Sequence, residues 1–421
     1  MGHGHHVSAP DENRVLLLMT TTTYRATSFL EAAEALGVPA VVGSDRRQSL
    51  AAANPGGHLT LDFARLDDAT EAIVDFHRRY PLRAVLATDD DGVILAAQAA
   101  AALSLPHHPL SAVTSARDKH RMREVLRHAG APSPDFRSLP IDGDPTEAAK
   151  TVPYPCVLKP LHLAASRGVI RADDPESFVA AFRRIAAILT IPEIAAAGGS
   201  QASRILVESF IPGVEVAVEG ILTSGRVRVL TIYDKPDPLD GPYFEETLLV
   251  TPSRHPDELR DEVAERVQEA VRALGLTDGP VHAELRVNDR GAWIVEIAPR
   301  SIGGLCSRTL RFGEGISLEE LLLRHALGWD VGALERERAA AGVMMIPISR
   351  RGVLGEVRGR CAAETTPSIE EIRISIPAGQ EVAPPPEGNR YLGFIFSRAE
   401  TPAEVERALR EAHRRLEIEI A

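Results

Sequence analysis

The stretch VHAELRVNDRGAWIVEIAPR, residues 281–300, governs how the whole chain is read. Apolar and polar residues alternate on both sides of NDRG, the period of two expected of half-buried strands. Two such runs around a glycine-containing turn predict a β-hairpin. A three-residue loop, Asp289-Arg290-Gly291, with Gly291 in the left-handed position, would pair Asn288 with Ala292. Val281, Ala283, Leu285, Val287, Trp293, Val295 and Ile297 would then share one apolar face. In that register Glu284 lies opposite Glu296 on the other face, and His282 and Arg300 fall on the same side. An even-length turn would instead send the two glutamates to opposite faces, where both would be solvated.

Opposed residues of an antiparallel pair have β-carbons about 5 Å apart, so two ionised carboxylates there repel. A divalent cation removes that repulsion, and magnesium takes oxygen ligands, usually one or two carboxylates plus substrate phosphates. Glu284 and Glu296 are therefore candidate ligands for magnesium, or for manganese in its place.

The rest of the chain has 421 residues, 44% of them hydrophobic, enough for two or three cores. A net charge of -12 without a long basic run argues against a nucleic-acid partner, and an anionic substrate would need local positive charge. Cys156, Cys306 and Cys361 form no CxxC pair, which argues for a reducing compartment without zinc or disulfides. Apolar stretches are shorter than a membrane span, and the N-terminus lacks an apolar signal core, so a cytoplasmic protein with no membrane partner is expected. The opening MGHGHH reads as a tail. Lysine stands only at 119, 150, 159 and 235; every other basic residue is arginine. A lysine retained in such a chain is a candidate for chemistry needing a compact ammonium.

Along the chain, strands at 14–20, 39–42 and 84–88 alternate with helices at 27–37 and 92–104, predicting a parallel α/β sheet. The first strand leads into TTTTYR, so the glycine fingerprint of dinucleotide binding is absent. An amphipathic helix is expected over 115–127, strands at 155–159 and 168–171, a helix opened by Asp174-Pro175, and a flexible surface loop at 193–203. Strands at 204–210, 214–222 and 226–233, a helix at 257–274 and a helix capped by Ser317 with Glu320 follow. A smaller β-rich module begins near 340 and ends in a helix capped by Thr401. His107, His108 and His255 have no partner spacing and are expected on the surface or in turns; Cys306 has no adjacent base.

Five pieces now stand in order: Asp118-Lys119, the strand PCVLKP (155–160), the loop ending Ser166-Arg167-Gly168-Val169, LVESFIPGVE (206–215), and Glu284, Glu296 and Arg300. Their order and spacing resemble the ATP-grasp superfamily over about residues 12 to 415. The resemblance implies an α/β, or α+β ATP-grasp, architecture. It would comprise an N-terminal parallel α/β domain (1–113), a small lobe with the phosphate loop (114–203), a catalytic lobe (204–338) and a small β-rich C-terminal domain (339–421).

The resemblance also implies roles. Lys119 and Lys159 would contact ATP phosphates, with Lys159 and Arg300 catalytic. Ser166, Arg167 and Gly168 would cover the phosphates. Glu208 and Phe210 would read adenine through backbone groups and a carboxylate, and Glu215 would face the ribose hydroxyls. Two departures stand out. Ala164 and Ala165 occupy positions where glycines are expected, and alanine restricts positive φ. Ala298 replaces a frequent asparagine two residues after Glu296.

The loop 233–253 resembles an acceptor-pocket wall, with Lys235 set to meet a carboxylate or phosphate and Glu245 or Glu246 an amino group. Gly303 and Gly304 would let substrate approach the backbone; Arg308 and Arg311 would meet a substrate carboxylate. The implied activity is carboxylate–amine ligation through an acyl phosphate, using ATP and magnesium on small-molecule carboxylate and amine substrates, with an amino acid among them, in a homodimer. A carboxylase, a glycinamide-ribotide-type ligase, and an ATP-binding protein with lost catalysis stay open.

Overall fold

The computed structural model describes residues 13–421 except 22 and 47–56; the MGHGHH segment lies outside them. The N-terminal unit is a four-stranded parallel sheet in the order His58–Thr60, Ala40–Ser44, Val15–Met19, Ala84–Ala87. Its strands are short continuous apolar runs because helices Ala26–Ala35, Leu66–Arg79 and Val93–Ala102 cover the sheet and leave little of it wet.

The expected helix over 115–127 is two helices, Leu110–Arg117 and Lys119–His128, broken at Asp118. Asp118 takes an extended backbone, and its carboxylate accepts from the amides of His120 and Arg121. Aspartate competes better as a cap than as an interior helix residue, so the periodic pattern is cut there. Lys119 is thereby placed at the first turn of a helix.

The small lobe is an antiparallel sheet in the order Phe136–Pro140, Arg204–Ser209, Cys156–Pro160, Ile170–Ala172, covered by helix Pro175–Leu189. Asp174 caps that helix in a capping box with Ser177. The expected boundary at 203/204 is corrected: Arg204–Ser209 pairs on both sides within the small sheet, so the lobe runs through Ser209. The stretch 193–203 is not a loop but helix Pro192–Gly198 followed by a 3-10 turn, because Ile194 and Ala202 are buried in the small-lobe core.

The larger lobe, expected to be the catalytic one, is built on an eight-stranded sheet in the order Gly291–Ala298, Gly279–Asn288, Val214–Thr223, Arg226–Asp234, Leu248–Thr251, Ala340–Ile346, Gly393–Ala399, Ile369–Ile374. Its last three strands come from the C-terminal module. That module is β-rich, as expected, but continues the catalytic sheet and adds a three-stranded sheet, Glu381–Val382, Gly352–Arg358, Glu417–Ile420. No helix among the described residues is long and apolar enough to cross a membrane.

The hairpin at one edge of the sheet reaches the expected outcome by another route. Its turn is even: Asn288 pairs with Gly291, and only Asp289 and Arg290 lie between. On that register Glu284 would oppose Val295. A β-bulge between Glu284 and Leu285 absorbs one residue, so Glu284 pairs with Glu296 after all. The core face therefore carries Ala292 and Ile294 rather than Trp293 and Val295, which are only half-buried.

Candidate active site

The bulge that sets Glu284 against Glu296 also turns the Val295 carbonyl toward Arg123, whose Nη2 donates to it at 2.5 Å. Arg123 is fully buried, and its Nε donates to Glu208 Oε1 at 2.6 Å. The other oxygen of Glu208 holds Lys159 Nζ at 2.6 Å. One buried carboxylate thus ties the small-lobe sheet to the helix after Asp118 and, through Arg123, to the hairpin at 279–298. Burial alone would push the Glu208 pKa up, but Arg123 and Lys159 outweigh it and hold it below its ordinary value. Sequence reading missed Arg123, one arginine among many.

Glu208 was expected to read adenine with its carboxylate; that group is committed to two cations instead. The Phe210 amide, expected at the same base, donates to Pro155 O at 3.1 Å. The Phe210 ring lies between two guanidinium groups, 4.1 Å from Arg171 and 5.1 Å from Arg286. Both side chains are thus engaged within the protein.

Lys119 faces the same hairpin from the other side. Its Nζ lies 3.5 Å from Glu296 Oε1 and donates to Leu163 O at 2.8 Å, and its amide donates to Leu161 O. The loop at 161–168 is therefore anchored on Lys119. Ala165 and Ser166 both take left-handed backbone, at φ +53°, as does Gly168 at +73°. Alanine restricts this geometry, yet Ala165 adopts it where a glycine was expected, at a cost of order 1 kcal/mol per residue. Arg167 is half-buried with its Nε enclosed, and Gly168 N donates to Pro386 O of the C-terminal module.

Lys235 is buried among three carboxylates: Glu215 at 2.7 Å, Glu284 at 3.1 Å, and Glu246 in direct contact. Glu215, Glu246 and Glu284 form a cluster able to hold a metal, but its centre is filled by the Lys235 ammonium. Burial lowers the lysine pKa, yet the three carboxylates carry it well above its ordinary value. Burial, helped by Glu284 and Glu215, pushes Glu246 up to about 7 in spite of Lys235. Glu215, expected at ribose, has Arg286 as a second cation at 3.5 Å.

His282 is buried behind this group, its Nδ1 3.2 Å from Glu219 and its Nε2 3.9 Å from Glu284. Burial works against its charge, but the two glutamates raise its pKa to about 9. Glu219 also accepts the Ile302 amide at 3.0 Å, which fixes the turn leading to Gly303 and Gly304. A Cβ on Gly303 would meet open space, as expected of a backbone that substrate can approach; Gly304 has φ +61° and packs against Phe394.

Arg300 is held by a residue no motif announced. Its Nη2 lies 2.8 Å from Asp90 Oδ2, and Arg117 takes Asp90 Oδ1 at 2.9 Å. Burial opposes ionisation of Asp90, but Arg117 and Arg300 drive its pKa far down. Asp90→Asn should lower kcat about 10- to 100-fold, the usual range for lost outer partners, with KM for ATP nearly unchanged. Steady-state kinetics would check this; a large KM rise with constant kcat would place Asp90 in nucleotide binding instead.

Two expectations fail. Arg308 contacts Glu371 and lies over Phe396, while Arg311 reaches Glu370, so both serve the seam with the C-terminal module. Their sequence neighbourhood suggested a substrate role, but the 3-10 turn Cys306–Thr309 carries them to the outer strand. His108 is buried, not in a surface turn. Its Nδ1 accepts the amides of Thr277 and Asp278, and its Nε2 meets Pro280 O at 3.3 Å. Burial lowers its pKa to about 4, so it is neutral. The folded state then binds fewer protons than the unfolded chain between pH 6.5 and 4, and stability is lost as pH falls through that window. His108→Gln should remove a loss on the order of 3 kcal/mol, read as a flatter pH dependence of the denaturation midpoint. His255 lies 3.9 Å from Asp234, and Cys306 is buried with its thiol pKa raised, unsuited to nucleophilic work.

Comparison with known proteins follows the same lines. The ATP-grasp domain family matches residues 152–309, the ATP-grasp N-terminal domain 30–107, and the L-amino acid ligase C-terminal domain 2 residues 344–421. The alanine–anticapsin ligase of Bacillus amyloliquefaciens is 27% identical over 61% of this chain and 56% of its own length. Carnosine synthase 1 of Gallus gallus is 28% identical over 73% of this chain and 35% of its own. The chain thus spans little more than half the length of the first of these relatives. The crystal structure of an L-amino acid ligase from Bacillus licheniformis superposes with a TM-score of 0.83 at 23% identity, covering 98% of this chain and all of that one.

Proposed function

Because the chain belongs to the ATP-grasp superfamily, we propose that it is an ADP-forming carboxylate–amine ligase with an amino acid among its substrates. The observation that carries this reading is the opposed pair Glu284 and Glu296, with Lys119 3.5 Å from the second carboxylate. Lys235 and His282 stand beside Glu284 and Lys119 beside Glu296, and two carboxylates set opposite each other across the hairpin fit a divalent cation. Glu284 and Glu296 would hold magnesium, which when bound offsets phosphate charge.

Lys119 and Lys159 act as point charges on the polyphosphate, the latter aimed by Glu208. A carboxylate oxygen of the first substrate attacks the γ-phosphorus, the bond to the bridging oxygen breaks, and ADP leaves. Arg300, oriented by Asp90, meets charge on the transferred group. The amine then attacks the acyl carbon, the carbon–oxygen bond to phosphate breaks, and phosphate leaves with the amide formed. Glu246, whose pKa burial lifts to about 7, would take in its ionised form the proton that the amine loses.

A matrix of amino acids and other carboxylates with ATP and magnesium, scored by phosphate release and product mass, tests the reading. One amide per ADP is expected. A carboxylated product would transfer the reading to a carboxylase, and ATP binding without ADP release against every pair would refute catalysis.

A further inference from the structure

The structure holds a cavity of about 520 Å³. It sits in the seam between the N-terminal unit and the catalytic lobe. Ala97 and Val93 line it from one side, and Ile221, Leu322 and Trp329 from the other. None of the residues assigned above to ATP, metal or substrate lines it. Its size is that of a small-molecule site, and its walls are mostly apolar, the usual character of one.

One polar group in it is unspent. Arg228 lines the cavity and donates through Nη1 to the carbonyls of Val331 and Gly332. Its Nη2 is buried and, among the described residues, has no hydrogen-bond partner. Leaving a buried charged donor unmade is costly, so the site is short of one acceptor. The other polar groups are already engaged. His325 Nε2 meets Thr223 Oγ1 at 2.9 Å, and the carboxylates of Asp278 and Asp330 accept the amides of Ser224 and Gly332. Those two acids also limit the charge that a ligand can carry, since a polyanion would be repelled while a single negative group can be matched by one guanidinium.

We infer that this cavity binds a small apolar molecule bearing one anionic group, a carboxylate or its equivalent, with the anion on Arg228 and the apolar body between helix Val93–Ala102 and helix Leu318–Ala326. Its walls include Ala87 and Pro299, close in sequence to Asp90 and directly before Arg300.

The test uses the full chain saturated with ATP and magnesium, so that probes cannot report on the nucleotide cleft. Anilinonaphthalene sulfonate is the anionic probe and N-phenyl-1-naphthylamine its neutral counterpart, both followed by fluorescence. Saturable one-to-one binding of each is expected. Arg228→Gln should weaken the anionic probe about tenfold and leave the neutral one unchanged. Filling the cavity by Ala97→Trp should abolish both. Should that variant not fold, Ala326→Phe on the facing wall gives the same reading. Probe binding that survives the filling variants, or that Arg228→Gln weakens equally for both probes, overturns the inference.

Discussion

Glu296→Gln is expected to lower metal-dependent ATP turnover by about 10³-fold, roughly 4 kcal/mol of transition-state stabilisation. The substitution keeps the shape of the side chain and the strand pairing with Glu284. It removes one of the two charges that a divalent cation would bridge and the partner of Lys119. Folding should suffer little: the contact given up with Lys119 is 3.5 Å long and its carboxylate is partly exposed, while removing one of two facing carboxylates relieves repulsion. The thermal midpoint is therefore expected to hold or rise while turnover collapses, and this divergence separates a metal ligand from a structural acid. Titrating magnesium should shift the activity midpoint upward. Activity within a few-fold of the unaltered enzyme at every magnesium concentration would remove the metal assignment, and with it the central support for the function proposed here.

Glu208→Gln should act in the opposite way, on stability and nucleotide affinity together. The side chain is 3% exposed and neutralises two buried cations, Arg123 and Lys159. Removing one partner of a buried ion pair costs about 3–5 kcal/mol, because the charges left behind are uncompensated. The loss should appear in the denaturant midpoint. ATP, if it supplies negative charge to Lys159, should restore part of it, so the variant should gain more stability from ATP than the unaltered chain does. Lys159→Met on the same background should recover stability but not ATP affinity. Equal stabilisation of both proteins by ATP would show that Lys159 does not meet the nucleotide.

How much of this was legible in the sequence depends on range. The hairpin, the caps at Asp174, Ser317 and Thr401, and the alternating first domain rest on neighbours within a few residues, and these expectations agree with the structure. The opposition of Glu284 and Glu296 was legible in its outcome but not in its cause. An even turn and a bulge each shift the register by one, and the two shifts cancel. The bulge has no local signature, because what holds it is Arg123 from a helix more than 160 residues earlier. Asp90 was invisible for the same reason: its partner Arg300 belongs to another lobe. Arg308 shows the converse error, a suitable residue beside suitable glycines that the backbone carries to a different surface.

The scarcity of lysine was a better guide than any single motif. Three of the four lysines, Lys119, Lys159 and Lys235, are buried and paired to carboxylates, while Lys150 pairs only with its helical neighbour Glu147 on the surface. Composition alone could not assign which carboxylates they would meet. For Lys235 the answer reverses the simple expectation: it fills the middle of an acidic cluster rather than waiting for an anion.

The eight-stranded sheet has a practical corollary for anyone dividing this chain. Ala340–Ile346 hydrogen-bonds along Leu248–Thr251, so ending the polypeptide after residue 338 would strip that strand of its neighbour and leave a bare apolar margin. Such margins recruit other chains edge to edge. Swapping the last eighty residues between relatives would succeed only if the exchanged piece brings a strand whose pleat matches Leu248–Thr251, which makes this seam, and not the sequence boundary, the place where a hybrid is won or lost.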